Sequence, residues 1–413
     1  MSRRSPPHPR RQGPRPLGLH LAASLTVLLS SPAGLQSLRS ASPRWRPELA
    51  ERAAALARDA ASVPADALAR EVDREMRRRL DRFLTGLERY RHHPYRRDVA
   101  DPEPLWQEGS ARLLDYGTAE TPADAPPVLF VPSLVNRGYI LDLSARKSLV
   151  RWLAGNGVRP FLLDWGAPGP LERGFTLTDI VAGRLCRATV AASKAAGGRK
   201  LGLVGYCMGG LLALGAAQRQ PECFANLVAL ATPWDFHADD KPGALRTAAF
   251  LGPFEPTMRL LGELPVDAIQ TLFAQLDPQL ALKKFSRFAL LPEGSPEVED
   301  FVALEDWLND GITLPSAIAR ECLGAWYGQN ETGRGCWLVA GRPVEPREVE
   351  LPTLVVVPAK DRIVPPASAN ALADAVPRAE RWTPSLGHIG MIVSGGAEQR
   401  VWTPLRDWLV AHA

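Results

Sequence analysis

Residues 201–212 (LGLVGYCMGGLL) constrain the fold of this chain more than any other stretch. An apolar run ends at Gly205, the reactive side chain of Cys207 follows, and an apolar segment with helical spacing begins after Gly209 and Gly210. This order predicts a strand, a strained turn that carries a nucleophile, and a helix. Bulky side chains two residues before or after the nucleophile would collide in such a turn, which explains the glycines. The first N–H groups of the helix would favour the thiolate of Cys207. The alternative is a buried structural cysteine in a glycine-containing turn.

The length of 413 residues leaves room for one large α/β domain with additions, and 46% hydrophobic and 23% charged residues are typical of a soluble globular protein.

Charge is unevenly distributed along the chain. The net charge is +4, yet residues 1–46 contain eight arginines and no acidic residue, so the remainder is mildly acidic. A basic head of this kind contacts nucleic acid or an anionic surface, or is a disordered tail. Because prolines interrupt it, we expect a tail or a surface-contacting segment, disordered over residues 1–16, and no nucleic-acid binding.

An apolar run occupies residues 17–35 within this head. Basic residues precede it, and Ser31-Pro32-Ala33 near its end resembles a cleavage site, so one interpretation is a secretory signal peptide. We favour a short apolar or amphipathic helix that docks on the protein body or on a lipid-like surface, because the run contains His20 and several hydroxyl side chains. A secreted thiol enzyme would also risk oxidation, and we expect a cytoplasmic protein.

The cysteines indicate a reducing compartment. There are five, an odd number, and none lies in a CxxC or a Cys/His metal spacing: Cys186, Cys207, Cys223, Cys322 and Cys336. This number and spacing of cysteines indicate neither a set of disulfide bonds nor a metal site. We therefore expect no metal and no bound cofactor.

Strands and helices alternate through most of the chain. Residues 47–100 form an N-terminal helical region, with a helical pattern over 47–91 that Pro64 interrupts. From the buried strand at 128–131 onward, strand and helix alternate, which predicts an α/β fold with a mostly parallel sheet covered by helices on both faces. We assign this core to 101–236 and 346–413, and 237–345, which lacks the alternation, to a helical cap over Cys207.

Three reactive residues follow strands of this core in the order nucleophile, acid, histidine. They are Cys207, Asp361 and His388, and this is the chain order of the α/β-hydrolase fold. An imidazole within reach of a thiol accepts its proton, and a carboxylate fixes the tautomer of the imidazole. The alternatives are a packed loop histidine at 388 and a surface turn residue at 361.

The same turn supplies hydrogen-bond donors for an oxyanion. The backbone N–H of Met208 is one expected donor, and the second should come from the loop after the first core strand. Pro132 has no N–H, which leaves Ser133 or Leu134. We favour Leu134.

The chain resembles the polyhydroxyalkanoate (poly-3-hydroxybutyrate) synthases, cysteine-dependent polymerases of the α/β-hydrolase superfamily. The similarity runs from about residue 100 to the end, and its motifs are 132–143 (PSLVNRGYILDL), 163–166 (LDWG) with Pro168, 205–210 (GYCMGG), 231–236 (ATPWDF), 304–308 (LEDWL), 361–365 (DRIVP) and 387–390 (GHIG). The DWG and PWDF segments are most similar to the short synthases that work with a second subunit.

This resemblance implies an acyltransferase that polymerises 3-hydroxyacyl-CoA into polyester and releases CoA. Cys207 would carry the acyl group, His388 would activate the 3-hydroxyl of an acyl unit, and Asp361 would orient His388. It also implies contact with a growing polyester chain, a second synthase subunit, a homodimer and a polymer-granule surface.

Two alternatives use the same fold. A cysteine-dependent hydrolase, such as a thioesterase, an esterase or an intracellular polyester depolymerase, needs the same three residues but admits water. A non-catalytic scaffold or granule-surface protein would have no reason to keep Cys207, Asp361 and His388 together.

Overall fold

The computed structural model describes residues 11–39 and 45–413. The prediction of disorder over residues 1–16 lies outside the described residues for 1–10. For 11–16 it is wrong, because the Arg11 guanidinium donates to the Asp306 carboxylate (2.6 Å) and to the backbone carbonyls of His93 and Tyr95. The chain forms two compact units. One contains the chain up to Tyr95 together with Ala274–Asn309, and the other contains Arg96–Phe273 together with Asp310–Ala413.

The α-helices of the described residues, in chain order, are α1 (Leu17–Leu29), α2 (Ser31–Arg39), α3 (Pro47–Ala61), α4 (Ala65–His92), α5 (Leu149–Ala154), α6 (Cys186–Ala195), α7 (Met208–Arg219), α8 (Lys241–Ala249), α9 (Leu251–Leu261), α10 (Val266–Ala274), α11 (Leu280–Phe288), α12 (Pro296–Asn309), α13 (Ser316–Arg320), α14 (Pro366–Ala375), α15 (Gly390–Val393) and α16 (Thr403–Ala411). Three segments are π-helical, namely Asp179–Leu185, Glu321–Gly328 and Glu398–Trp402.

The strands, in chain order, are β1 (Pro104–Glu108), β2 (Ala111–Asp115), β3 (Pro127–Val131), β4 (Asp142–Ser144), β5 (Lys147–Ser148), β6 (Arg159–Asp164), β7 (Leu201–Tyr206), β8 (Phe224–Leu230), β9 (Glu263–Leu264), β10 (Leu314–Pro315), β11 (Leu338–Val339), β12 (Arg342–Pro343), β13 (Thr353–Val356) and β14 (Glu380–Trp382).

The first unit is built around one face of α4. Phe83, Leu87 and Tyr90 recur at helical spacing, and they pack with Phe285 and Phe288 of α11. The predicted interruption at Pro64 is confirmed, since α3 ends at Ala61 and α4 begins at Ala65.

One stretch near the N-terminus stands out by its composition. Among the residues that the structure describes, Leu17–Arg39 alone is long and apolar enough to cross a membrane, judged by length and composition. A signal sequence near an N-terminus passes the same test.

The second unit contains an eight-stranded sheet in the order β1-β2-β6-β3-β7-β8-β13-β14. The six strands from β6 to β14 are parallel, which confirms the mostly parallel sheet. The apolar runs of β3 and β7 are buried along their whole length, as expected for strands covered on both faces. The antiparallel strands β1 and β2 precede β3, so the expectation that the sheet begins at 128–131 is corrected.

The register of the parallel strands brings their carboxyl ends to one edge. Val131 pairs with Gly205, and Leu230 pairs with both Tyr206 and Val356. Residues that follow these strands therefore meet at the same edge, where open α/β sheets place their ligands.

The segment predicted as a cap is largely helical, with α8 to α13 inside it. Its residues 274–309 belong to the compact unit of the N-terminal helices, and the remainder belongs to the unit of the sheet. The division of the chain into head, helical region, core and cap stays a prediction.

A buried carboxylate ties together the polypeptide around β4. The side chain of Asp142 is fully buried, and it accepts hydrogen bonds from Arg151 (2.7 and 3.0 Å), Arg97 (3.0 Å) and the Tyr116 hydroxyl (3.0 Å). A buried charge costs free energy unless it is paired and hydrogen-bonded, and this arrangement meets both conditions.

Replacing Asp142 with Ala should lower the free energy of unfolding by about 3 kcal/mol, because two guanidinium groups lose their buried partner. Urea denaturation followed by circular dichroism measures this change. The exposed Glu120 provides the control, and Glu120→Ala should change the same quantity by less than about 0.5 kcal/mol. Equal stability of the Asp142→Ala variant and the unmodified protein would contradict the role of this network.

Candidate active site

The turn between β7 and α7 places Cys207 in a strained backbone conformation. Cys207 has φ +56° and ψ −129°, and positive φ is uncommon for a residue other than glycine. Its N–H donates to the Leu230 carbonyl (2.8 Å), which ties the turn to β8. Every residue of α7 from Met208 to Ala217 is buried, so the helix that follows the turn is fixed in the core. The predicted strand, turn and helix are confirmed.

Close backbone contacts require glycine on both sides of Cys207. A Cβ atom at Gly205 would collide with the backbone of Gly209 and Gly210, and one at Gly209 would collide with the Val131 carbonyl. These contacts confirm the steric reason that the sequence suggested for glycine at these positions.

The predicted acid and histidine lie together and are buried. His388 Nδ1 lies 2.7 Å from Asp361 Oδ2, and the two side chains are 7% and 0% exposed. The other oxygen of Asp361 accepts the N–H groups of Ile363 (2.8 Å) and Val364 (2.9 Å). Asp361 is therefore not a surface turn residue, and its carboxylate is oriented from both sides.

Backbone hydrogen bonds join the loops that carry these two residues. The N–H of Ala359 donates to the Pro384 carbonyl, and the N–H of Lys360 donates to the Leu386 carbonyl, both over 2.9 Å. These bonds extend the parallel pairing of β13 and β14 beyond the strands. They bring together two side chains that are far apart in the sequence.

Cys207 lies near enough to the His388 ring to change the pKa of the imidazole. Burial by itself lowers the pKa of His388, but a negative charge on Cys207 and the hydrogen bond with Asp361 raise it to about 10. The structure thus brings together the three residues that the sequence singled out. Because Asp361 occupies Nδ1, Nε2 is the nitrogen that can exchange a proton with the thiol.

One predicted oxyanion donor begins the helix after the turn, and the other lies in the loop after β3. Met208 is the first residue of α7, so the helix itself does not use its N–H. The close approach of Gly209 to Val131 and Pro132 places the loop after β3 against the start of α7. In this loop the Val135 N–H donates to the Ser133 hydroxyl (3.1 Å). The assignment of Met208 and Leu134 as donors stays a prediction.

Several residues near the site were not singled out from the sequence as part of it. Trp165 Nε1 donates to the Pro132 carbonyl (3.0 Å), which supports the loop after β3. Its position after the end of β6, at the edge where the candidate residues lie, is the signal that could have identified it.

An aromatic group follows β8. Phe236 packs against Trp326 (ring centroids 6.0 Å apart) and Tyr327 (4.7 Å), which lie in the π-helical segment Glu321–Gly328. Burial and the negative charge of Cys207 both raise the pKa of Tyr327, so Tyr327 lies in the electric field of the thiol. No local sequence pattern indicates this proximity, because 120 positions separate Cys207 and Tyr327.

Within residues 11–39 and 45–413, no group of three or more His, Cys, Asp or Glu side chains is arranged to hold a metal ion. All five cysteines are free thiols.

Known proteins match this chain over most of its length. A model of the alpha/beta hydrolase fold family matches residues 126–394. The poly(3-hydroxyalkanoate) polymerase subunit PhaC of Synechocystis is 30% identical over 344 residues, which cover 80% of this chain and 90% of that protein. The chain belongs to the poly(3-hydroxyalkanoate) polymerase family, on the alpha/beta hydrolase fold. The resemblance stated from the motifs and the predicted fold class are both confirmed.

Two further members of the family show how lengths vary. The PhaC subunit of Haloferax mediterranei is 31% identical over 75% of this chain, and the chain spans 64% of its length. The PhaC subunit of Allochromatium vinosum is 28% identical over 75% of this chain, and the chain spans 88% of its length.

Replacing Cys207 with Ala should lower the pKa of His388, because the charge of Cys207 is the largest influence that raises it. Titration of the His388 ring by NMR measures the change. Cys336→Ala removes an exposed thiol and should leave the titration unchanged. An unaltered His388 titration in the Cys207→Ala variant would mean that thiol and imidazole are not coupled.

The raised pKa of His388 also predicts how stability depends on pH. Folding favours the protonated ring, so its stabilising contribution is complete below the ordinary value of 6.5 and is lost as the pH rises through about 10. Urea denaturation across this range should show the loss, and it should be smaller in the Cys207→Ala variant. The same slope in both proteins would contradict this account.

Proposed function

We propose that the protein is a poly(3-hydroxyalkanoate) polymerase that transfers acyl groups from 3-hydroxyacyl-CoA to a growing polyester through an acyl-cysteine at Cys207. The observation that carries this proposal is a cysteine on a strained strand–helix turn, coupled to a buried His388–Asp361 pair, in a chain of the polymerase family. A cysteine suits transfer because attack on a thioester yields another thioester, which stays activated towards the next acceptor. A serine would form a more stable oxoester.

In the first half-reaction, His388 accepts the proton of Cys207 and the sulfur attacks the carbonyl carbon of the CoA thioester. The C–S bond to Cys207 forms and the C–S bond to CoA breaks. His388 gives its proton to the sulfur of CoA, which leaves as a thiol. Asp361 keeps the ring oriented and stabilises its protonated form. The N–H groups of Met208 and Leu134 bind the oxyanion of the tetrahedral intermediate.

In the second half-reaction, His388 removes the proton from the 3-hydroxyl of an acyl unit. The oxygen attacks the acyl-cysteine, an ester bond forms, and the C–S bond to Cys207 breaks. The proton returns from His388 to the cysteine. The reaction uses no metal and no cofactor beyond the CoA thioester, which is its substrate.

Water competes with the hydroxyl in this step, so the site must exclude it. The packed rings of Phe236, Trp326 and Tyr327 provide an apolar surface in the vicinity of Cys207. This environment favours transfer to a hydroxyl over hydrolysis. A polymerase requires this preference, whereas a cysteine-dependent hydrolase does not.

The proposal extends to partners and location. The relatives are named as polymerase subunits, which supports a second synthase subunit as a partner of this protein. We further propose that the protein forms a homodimer and works at the surface of a polyester granule in the cytoplasm.

The purified protein, alone and together with its second subunit, should release CoA from 3-hydroxybutyryl-CoA and form polyester of high mass. Cys207→Ala should lower the rate of CoA release at least about 1,000-fold, because the nucleophile is removed. Release is followed with a thiol reagent, and the products are sized by chromatography. The control variant Cys336→Ala should retain the activity of the unmodified protein.

Replacing Cys207 with Ser separates transfer from hydrolysis. A polymerase should lose nearly all chain growth, because the acyl group is held as an oxoester, whereas a hydrolase should keep part of its activity. Release of CoA with only free hydroxy acid as the product would reject the polymerase and favour a thioesterase.

A further inference from the structure

Helix α1 exposes an uncharged apolar face. Leu19, Leu25 and Leu29 are 38%, 37% and 60% exposed, and together with Ala22 they recur at the three- and four-residue spacing of one helix face. The opposite face is fixed in the first unit, where Ser24 and Leu28 are buried. The helix is therefore packed on one side and apolar towards solvent on the other.

This face differs from the surface of α4 in the same unit. Exposed ion pairs cover α4, among them Arg70–Asp66, Arg74–Glu71 and Arg77–Asp73. By contrast, residues 16–38 contain no Asp, Glu, Lys or Arg at all. A run of exposed leucines without charge is characteristic of a surface that meets an apolar phase.

Positive charge flanks the apolar face. Residues 1–46 contain eight arginines and no acidic residue, and among them Arg15 and Arg39 lie exposed just before and just after the uncharged run. This charge complements anionic phospholipid headgroups, while the leucines match the boundary between headgroups and acyl chains.

We propose that α1 and its arginine flanks dock this protein onto an anionic phospholipid bilayer, with the helix lying in the interface. This inference does not depend on the polymerase activity. Binding to lipid removes the exposed leucines from water, and the arginines direct the contact to anionic rather than neutral lipid.

The full-length protein should float with vesicles of phosphatidylcholine and phosphatidylglycerol in a density gradient, and should not float with phosphatidylcholine alone. The double substitution Leu25→Glu and Leu29→Glu should weaken vesicle binding at least about tenfold, because it introduces charge into the apolar face. Leu56→Glu is the matched control, since Leu56 (56% exposed) is close to Leu29 (60%) in exposure but lies on the charged helix α3.

Flotation with anionic vesicles that the double substitution abolishes and Leu56→Glu preserves would support the proposal. Three results would overturn it. These are no binding to anionic vesicles, equal binding by the Leu25/Leu29 variant, and binding to amorphous polyester particles but not to lipid. The N-terminus of the mature protein in producing cells gives an independent check. A mature protein that begins beyond residue 30 would have lost α1 as a cleaved signal, and this result would count against the proposal.

A second inference concerns Tyr206, the residue before Cys207. Its hydroxyl donates to the backbone carbonyl of His388 (3.2 Å), and its ring lies against the imidazole with the centroids 5.2 Å apart. The side chain is almost fully buried. One residue of β7 thus contacts the histidine through both its ring and its hydroxyl, while its chain neighbour carries the thiol.

We infer that Tyr206 is a positioning residue that fixes the His388 ring relative to Cys207. Asp361 restrains the ring at Nδ1, but rotation of the loop around Gly387 would still move Nε2 relative to the sulfur. The hydrogen bond to the His388 carbonyl restrains this loop. The role of Tyr206 in catalysis rests on the proposed function, whereas its effect on the reactivity of Cys207 does not.

Alkylation of Cys207 by iodoacetamide, resolved by peptide mass spectrometry over a range of pH, tests this role. Tyr206→Phe keeps the ring and should slow alkylation at neutral pH by about threefold to tenfold, the worth of one hydrogen bond. Tyr206→Leu should slow it further. Tyr116→Phe is the control, because it removes another buried hydroxyl, which binds Asp142.

A slowed alkylation with a shifted pH profile in Tyr206→Phe, and an unchanged profile in Tyr116→Phe, would support the inference. Alkylation of Tyr206→Phe at the unmodified rate, or equal slowing in both variants, would overturn it. If the protein forms no polyester, the alkylation experiment still decides the question, so the two proposals fail separately.

Discussion

The hydrogen bond between Asp361 and His388 joins two loops that are 27 positions apart in the sequence, and the chemistry of the site depends on it. It forms because β13 and β14 pair in parallel and their backbone bonds continue into the loops. Buried from water, the carboxylate holds one nitrogen of the ring and leaves the other for the thiol. Without this restraint, the imidazole would lose its fixed orientation relative to the thiol of Cys207.

The second constraint is the lack of space around the turn. Gly205 and Gly209 have no room for a Cβ, so β7 and α7 meet more closely than other residues would allow. This closeness holds Cys207 at positive φ, and it brings the loop after β3 against the first turn of α7. In the proposed acyl transfer, this arrangement lets the thiol, the imidazole and the N–H groups of Met208 and Leu134 meet at one carbonyl group.

The two compact units illustrate where local sequence patterns fail. The interruption of the N-terminal helices at Pro64 and the parallel strands follow from proline chemistry and from hydrophobic runs. The association of 274–309 with the N-terminal helices does not follow from local patterns. It depends on contacts of Phe285 and Phe288 with Phe83 and Tyr90, which lie some 200 residues earlier in the chain. The strands β1 and β2 were not predicted because neither is a continuous apolar run: Gln107 and Glu108 end β1, while Arg112 interrupts β2 and Asp115 ends it.

The sequence by itself determined the class of fold, and it singled out Cys207, Asp361 and His388, which the structure brings together. Those conclusions rest on local order: an apolar run before a glycine-flanked cysteine, and reactive residues that follow strands. Tertiary structure alone decided the proximity of Tyr327 to the thiol, the support of Pro132 by Trp165 and the contact of Tyr206 with His388. These depend on the packing of elements that are distant in the chain, which no pattern of neighbouring residues records.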